Sequence, residues 1–429
     1  MAELLLKRIK AEDVPGVRRN PVDKKARAIA EPIVEAVRLG GEAALRQYAE
    51  QFGELAPGAS LIFTREKELK AAYDSISQEV RDVLERTAAR IRAFAQAQCN
   101  SLIEVTVPIP GGEAGHTVEP VEVAGCYAPG GRYPLPSTVL MTAVTARVAG
   151  CKRVIVSSPR PTDVTLAAAY VAEADYLVPV GGAHAIAAMA HGAGPIEACD
   201  AIVGPGNAYV TAAKSLIAGS VAIDMLAGPS EVLILADHTA DAAVVAADLL
   251  AQAEHDPSSI PSLICTSAAF ADAVDEQVRS QLAVLPTRDI ATEALKNGYC
   301  VVVGSVHEAA EISDRLAVEH LEIHVENPME LKKRLKHYGG LFVGHGAAEV
   351  LGDYGAGPNH TLPTGGTARS TGGLCALTFL RVRTWMRVDD PQAAEQMTLD
   401  AASLGDIEGL KGHAAAARIR LPSAKRKRP

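Results

Sequence analysis

The chain has no C-x-x-C pair. Its seven cysteines, Cys99, Cys126, Cys151, Cys199, Cys265, Cys300 and Cys375, are odd in number and widely scattered. That usage argues against a disulfide framework or a thiolate zinc site and predicts reduced thiols. An excess of positive charge is also missing, since 42 Lys+Arg against 51 Asp+Glu leave a net charge of −9. Partners bound through phosphates, such as nucleic acid or an anionic membrane, are therefore not expected. Nor is there an uninterrupted apolar span. The long uncharged stretch Leu177 to Ile196 holds Pro179, Pro195, His184, His191 and several glycines, and reads as folded interior. The N-terminal MAELLLKRIK carries Glu3 and no long apolar run. It does not read as a secretory signal, and a cytoplasmic location is expected. No solenoid-type repeat is found.

What remains is ordinary globular composition, with 48% hydrophobic and 22% charged residues over 429 positions. That length predicts two to four domains. Apolar residues recur at helical spacing around Ala26 to Phe52 and Glu66 to Ala97. From Cys126 onward, short β-branched runs alternate with alanine-rich helical runs: Lys152-RVIVSSP, Tyr176-LVPVGG, Asp200-AIVGPGN, Val221-AIDML and Glu231-VLILAD. A further set follows at Ile260-PSLICTS, Tyr299-CVVVGS and Gly340-LFVGH. Strand, glycine turn and helix in succession suit βαβ units and parallel sheets, so two α/β regions are predicted. The last fifty residues carry no strand signal in this reading and are taken as helix plus a polar end, Lys425-Arg-Lys-Arg428, expected to be a solvated tail.

Several turns have the form strand, glycine, helix: Ala128-PGGRYPLPST, Gly181-GAHAIAAMAHG, Gly204-PGNAYVTAAK and Gly228-PSEV. Glycine lets a ligand approach the backbone, and the N–H groups opening the next helix favour an anion such as pyrophosphate. None is a full G-x-G-x-x-G, so each one alone is equally well a tight turn, while four together favour a ligand site along one sheet edge. Histidines stand beside amides or carboxylates in four places. In Ala251-QAEHD, Gln252 and His255 are three residues apart on one helical face, within reach of one ion. In Val318-EHLEIH, Glu319 and His320 form an acid/base pair leading into a strand, where adjacent side chains point to opposite faces. In Gly352-DYGAGPNHTLPTGG, glycines and a proline predict a loop presenting Asp353, Asn359 and His360. In Glu408-GLKGH, Glu408 and His413 lie in a helix that Gly409 and Gly412 would weaken. Taken singly, each histidine is more often structural than a ligand. Imidazoles with Asp or Gln oxygens and no thiolate suit Zn²⁺ or a similar divalent ion. Ser230 lacks the G-x-S-x-G elbow and reads as a helix cap or a substrate hydrogen-bond donor.

Taken in order, Tyr127-APGGRYPLPSTVLM, Gly204-PGNAYVTAAK, Asp224-MLAGPSEVLILAD, Ala251-QAEHD, Glu319-HLEI, Gly352-DYGAGPNHTLPT and Glu408-GLKGH resemble the motifs of the histidinol dehydrogenase family, from about residue 25 to residue 415. The resemblance implies one zinc ion per subunit held by Gln252, His255, Asp353 and His413. It implies Glu319 and His320 as the catalytic pair, with His320 taking protons from the alcohol and Glu319 activating water. Ser230, His360 and Glu408 then match substrate-contacting positions, while Tyr127, His184 and Asn207 match positions near NAD. It further implies a homodimer whose C-terminal segment completes the partner's site. The implied reaction is a four-electron oxidation of L-histidinol through the aldehyde to L-histidine with two NAD⁺.

The expected architecture is α/β with two Rossmann-like parallel-sheet domains, an N-terminal helical arm and a helical, domain-swapped C-terminal tail. The boundaries are residues 1–25 for the arm, 26–125 with 233–375 for the domain carrying most of the metal and acid/base site, 126–232 for the NAD-binding domain and 376–429 for the tail. Some positions depart from the family pattern. His184 stands where a Gln is usual, Val318 replaces a common Pro, Glu122 sits where a basic residue is frequent, and Ser370-TGGLCALTFL lacks the usual Ser-Pro-Leu run. The last of these resembles relatives acting on other small alcohols, so the alternative is a paralogue oxidising a substrate such as 2,3-dihydroxypropane-1-sulfonate. Arg132 and Arg369 are the cations that such a sulfonate would call for.

Overall fold

The computed structural model describes residues 5–14, 21–130 and 133–422. The basic stretch Lys425–Arg428 and Arg132 lie outside them. Two compact units are present: residues 1–99 with 121–379, and residues 100–120 with 380–429.

The larger unit contains two six-stranded sheets. The first runs in the order Phe63–Thr64, Tyr176–Val178, Arg153–Ser157, Val123–Tyr127, Ala201–Val203, Ala222–Ile223, parallel throughout except for its first edge strand. The second runs Lys7–Ile9, Tyr299–Val302, Ile260–Cys265, Glu231–Ala236, His320–His324, Gly340–Val343, and is parallel throughout. Helices cover both faces of such sheets, so their central strands read as continuous apolar runs; every residue of Glu231–Ala236 is buried. Both sheets are doubly wound. The chain reverses direction between Val123–Tyr127 and Ala201–Val203 in the first, and between Glu231–Ala236 and His320–His324 in the second.

Several features differ from the sequence pattern. Residues 26–99 and 233–375 belong to the same larger unit, and within it helix Lys24–Gln51 packs on the first sheet. The apolar stripe of helix Lys24–Gln51, including Ala30, Val34, Val37 and Leu45, is buried with Ile155, Ile186 and Ile202 on the first sheet. Helical periodicity says that one face is buried, not against which sheet. The N-terminal arm supplies a strand, Lys7–Ile9, which pairs with Tyr299–Val301 at the edge of the second sheet. Among the described residues of the arm, a single 3₁₀ turn, Ala11–Asp13, follows it.

The smaller unit holds a three-stranded antiparallel sheet, Leu380–Val388, Gly112–Pro120 and Val105–Ile109, with helices Glu395–Ile407 and Lys411–Arg418. A nine-residue strand therefore stands where the sequence pattern gives only helix and a polar end. LRVRTWMRV places Arg at positions 381, 383 and 387, which disguises its alternation as polarity. Gly409, at φ +76°, ends the first of the two helices, so Glu408 and His413 sit on separate helices and not on one weakened one.

The turn Gly204-Pro-Gly206 at the first sheet's reversal point is held from beneath. A Cβ on Gly204 (φ +116°) would lie 2.0 Å from the Tyr127 carbonyl oxygen, so only glycine fits there. Asp224 accepts from the Gly204 and Met225 amides, each at 2.7 Å, and Lys214 Nζ donates to the Gly204 carbonyl at 2.9 Å and to Asp224. The two side chains are 4% and 0% exposed, so the pair survives desolvation only because these bonds satisfy both ends. Lys214→Met leaves the carboxylate buried without its cation and should lower stability by about 3–5 kcal/mol. A urea unfolding curve measures it, and a loss below about 1 kcal/mol, the scale of an exposed pair, would contradict the account.

Candidate active site

A cavity of about 230 Å³ lies in the larger unit. One wall, with Pro129, Ser137, Thr138, Met141, Pro205 and Gly206, comes from the turns and helix after Val123–Tyr127 and Ala201–Val203. The facing wall comes from the second sheet's amino edge, where Ser230 precedes Glu231–Ala236 and Glu319 precedes His320–His324. Gln252, at the end of helix Ala242–Ala253, and His255 just beyond it add to this wall. So do Asp353, ending helix Glu349–Asp353, and His360.

Glu319 and His320 both line the cavity, although neighbours on a strand would face opposite ways. Glu319 stands one residue before the strand, where pleating no longer governs its direction. Its Oε2 accepts from the Glu231 amide at 3.0 Å and lies 3.7 Å from His320 Nδ1. The ring of His320 has its own fixed arrangement. Nδ1 is 3.0 Å from the Glu231 carbonyl oxygen and 2.9 Å from Gln252 Oε1. A carbonyl only accepts, so Nδ1 carries the proton and Nε2, which is buried without a partner, keeps a free lone pair. The ring stacks on His360 with centroids 4.6 Å apart. Burial first, and His360 second, hold the His320 pKa well below the usual imidazole value, while burial raises that of Glu319 well above the carboxylate range.

Beside this pair lies a group of metal-capable donors. His255 Nε2 is 3.5 Å from Asp353 Oδ2 and 3.9 Å from Glu349 Oε1, and His360 Nε2 is 3.3 Å from Asp353 Oδ1. Two ligand atoms each about 2.0–2.2 Å from a tetrahedral ion stand roughly 3.3–3.6 Å apart, close to these separations. Gln252 Nε2, Glu349 Oε2 and His360 Nε2 are buried without partners. Orphaned polar atoms cost about 1–3 kcal/mol each, so the cavity is built for a ligand. Gln252, His255 and Asp353 therefore fit a divalent ion, since the Gln252 oxygen has a second lone pair beyond the one facing His320. Side-chain hydrogen bonding to Asp353 raises the His255 pKa. Burial opposes ionisation of Asp353, but its imidazole neighbours outweigh that and lower its pKa.

Glu349 is a site residue that the motifs pass over. It is 2% exposed, and burial raises its pKa well above the usual range. Its signal was the spacing: Glu349 and Asp353 are four residues apart, one turn of helix, in a stretch that the glycines and proline make look like loop. Asn359 does not face a ligand. Its amide donates to the Met141 carbonyl at 2.8 Å and to Thr145 at 3.1 Å, tying the loop to helix Pro136–Ala149. This holds His360 where Gly352 leaves room, a Cβ there being 2.4 Å from His360 Nδ1.

The remaining predicted residues lie elsewhere. Tyr127 is buried and its hydroxyl accepts from the Gly182 amide at 3.2 Å. His184, also buried, meets Glu54 at 2.8 Å. Asn207 caps helix Ala208–Ile217, accepting from the Tyr209 and Val210 amides. All three follow carboxyl ends of first-sheet strands, and none lines the cavity. Arg369 donates to the Asp314 and Arg315 carbonyls and does not line it either. Glu408 and His413 belong to the smaller unit, where both are exposed.

His320 should stay neutral as pH falls, because its pKa is depressed. NMR titration of the imidazole signals, assigned with His320→Asn, should show no protonation of this ring until below pH 6.5. A midpoint at or above 6.5 would contradict the arrangement.

The histidinol dehydrogenase family model matches residues 17–421. The histidinol dehydrogenase of Thermus thermophilus is 41% identical over 393 residues, covering 91% of this chain and 94% of that protein. That of Caulobacter vibrioides is 40% identical over 408 residues, covering 95% and 94%. The crystal structure of histidinol dehydrogenase from Elizabethkingia anophelis superposes with a TM-score of 0.90 at 31% identity, covering 98% of this chain and 99% of that one. The same chain thus carries the family's sequence along nearly its whole length, its fold, and a buried carboxyl and imidazole beside a metal-capable donor set; it belongs to the histidinol dehydrogenase family, oxidoreductases that act on an alcohol.

Proposed function

We propose that the protein oxidises L-histidinol through L-histidinal to L-histidine, in the cytoplasm, with one zinc ion per subunit and two NAD⁺ per turnover. The observation that carries the choice of substrate is the charge of the cavity. Glu319, Glu349 and Asp353 line it, and among the described residues no Lys or Arg does. A sulfonate would find no guanidinium or ammonium to pair with there, whereas the acidic lining offers hydrogen-bond acceptors to the ammonium of an amino alcohol.

Each chain residue then has a task. His320 Nε2, with its lone pair free, accepts the hydroxyl proton as hydride leaves the carbon. Glu319 takes a proton from the water that hydrates the aldehyde, and its raised proton affinity suits that role near neutral pH. The second hydride leaves the hydrate, with His320 again accepting the hydroxyl proton. Ser230 and His360 orient the substrate. Gln252, His255, Asp353 and His413 would hold the zinc ion, which when bound would supply a template for the substrate and Lewis acidity. Glu408 and His413 are contributed by a second copy of the chain. In support of such a homodimer, Leu404, Ile407, Leu410 and Ile419 of the same segment are exposed apolar side chains. NAD⁺ belongs at the reversal point of the first sheet, beside the Gly204 turn, with Tyr127, His184 and Asn207 shaping that edge.

Purified full-length protein with L-histidinol and NAD⁺ should yield two NADH per histidinol and lose activity on chelation. Dihydroxypropanesulfonate should give no turnover; the reverse substrate result would overturn the assignment. His320→Asn should lower kcat by about 10²–10⁴-fold with zinc content unchanged, and unaltered kcat would remove His320 from the chemistry.

A further inference from the structure

A second group of buried ligating side chains lies behind the first. Along strand His320–His324, alternate residues share a face, so Glu322 and His324 follow His320 on the side met by helix Ala242–Ala253. On that helix Asp248 lies one turn before Gln252. Asp248, Glu322 and His324 are 8%, 0% and 1% exposed, and their ligand atoms lie within 4.8 Å of one another. His324 Nε2 is 3.4 Å from Glu322 Oε2 and 3.8 Å from Asp248 Oδ2. The first is a long hydrogen bond and the second is beyond hydrogen-bond reach, and both resemble the separations between donors of the first group. Asp248 Oδ2 is buried with no hydrogen-bond partner, and so is His324 Nδ1.

From this geometry we infer that Asp248, Glu322 and His324 form a second divalent-cation site, distinct from the donors at the cavity. Two carboxylates and a neutral imidazole carry two negative charges, which one divalent ion balances. The N/O donor set fits zinc or a similar first-row ion. Burial and the neighbouring Glu322 raise the Asp248 carboxyl to about 7, so without a cation this cluster is poised to keep a proton. Exposed His345 borders the cluster, its ring 5.5 Å from that of His324.

The bound ion has a mechanical role. Glu322 uses its other oxygen, Oε1, to accept from the Glu349 amide at 2.7 Å, at the start of the helix that carries Glu349 and Asp353. Fixing Glu322 therefore fixes the segment that presents two carboxylates to the cavity. This inference does not depend on which alcohol is oxidised.

The test is metal stoichiometry. Tag-free full-length protein is stripped with chelator, reloaded with Zn²⁺, desalted and analysed for zinc per chain. Wild type should hold two equivalents. His324→Gln and Asp248→Asn should each hold one, and so should His255→Ala, which removes the first site alone. Two equivalents in both His324→Gln and Asp248→Asn, or one equivalent in wild type that both of these variants keep, overturns the second site. One equivalent in wild type that His255→Ala keeps and His324→Gln loses supports the second site and shows failure of the first instead. Circular dichroism of each variant, matched to wild type, shows that a lost equivalent is not a misfolded chain.

Discussion

A backbone carbonyl can accept a hydrogen bond but never donate one, and the chemistry of this site depends on that fact. The Glu231 carbonyl lies 3.0 Å from His320 Nδ1 and so assigns the ring's proton to that nitrogen. The lone pair is left on Nε2 in a buried place without a competing partner. Burial keeps the imidazole neutral, because charging it there carries a desolvation cost. The same edge of Glu231 binds the second member of the pair, since its amide donates to Glu319. One residue at the start of a central strand thus orients both the His320 ring and the Glu319 carboxyl.

The two sheets are used in opposite senses. The first presents the carboxyl ends of its strands to the cavity, with the glycine turn over Tyr127 held by the Lys214 and Asp224 pair. The second presents its amino edge, where side chains and not backbone dipoles do most of the work. Anchors such as Asn359 on helix Pro136–Ala149 join the loops of one sheet to the helices of the other. Such ties fix the loop that carries His360 against the facing wall, as a site with several closely placed ionisable groups requires.

Much of the chemistry could be read from residue types and local spacing. Gln252 and His255 follow helical periodicity, and the strand starts at Glu231 and His320 follow from apolar runs. Glu349 had only the four-residue spacing to Asp353 as its signal, and the glycines and proline that follow masked the short helix that gives this spacing meaning. The strand Leu380–Val388 was hidden for a different reason. Its alternation was present, but both faces carry exposed residues, so hydrophobicity gave no contrast.

The sequence by itself determined the local periods of the long apolar and amphipathic segments, where glycine must turn the chain, and which nitrogen and oxygen donors are available. These depend on neighbours within a few residues. Only the tertiary structure decided that helix Lys24–Gln51 covers the first sheet, that Tyr127, His184 and Asn207 lie outside the cavity, and that Glu349 enters it. It alone brought Asp248 beside Glu322 and His324. Such outcomes depend on which buried surfaces fit together and which buried charges find partners, and those are properties of residues far apart in the chain.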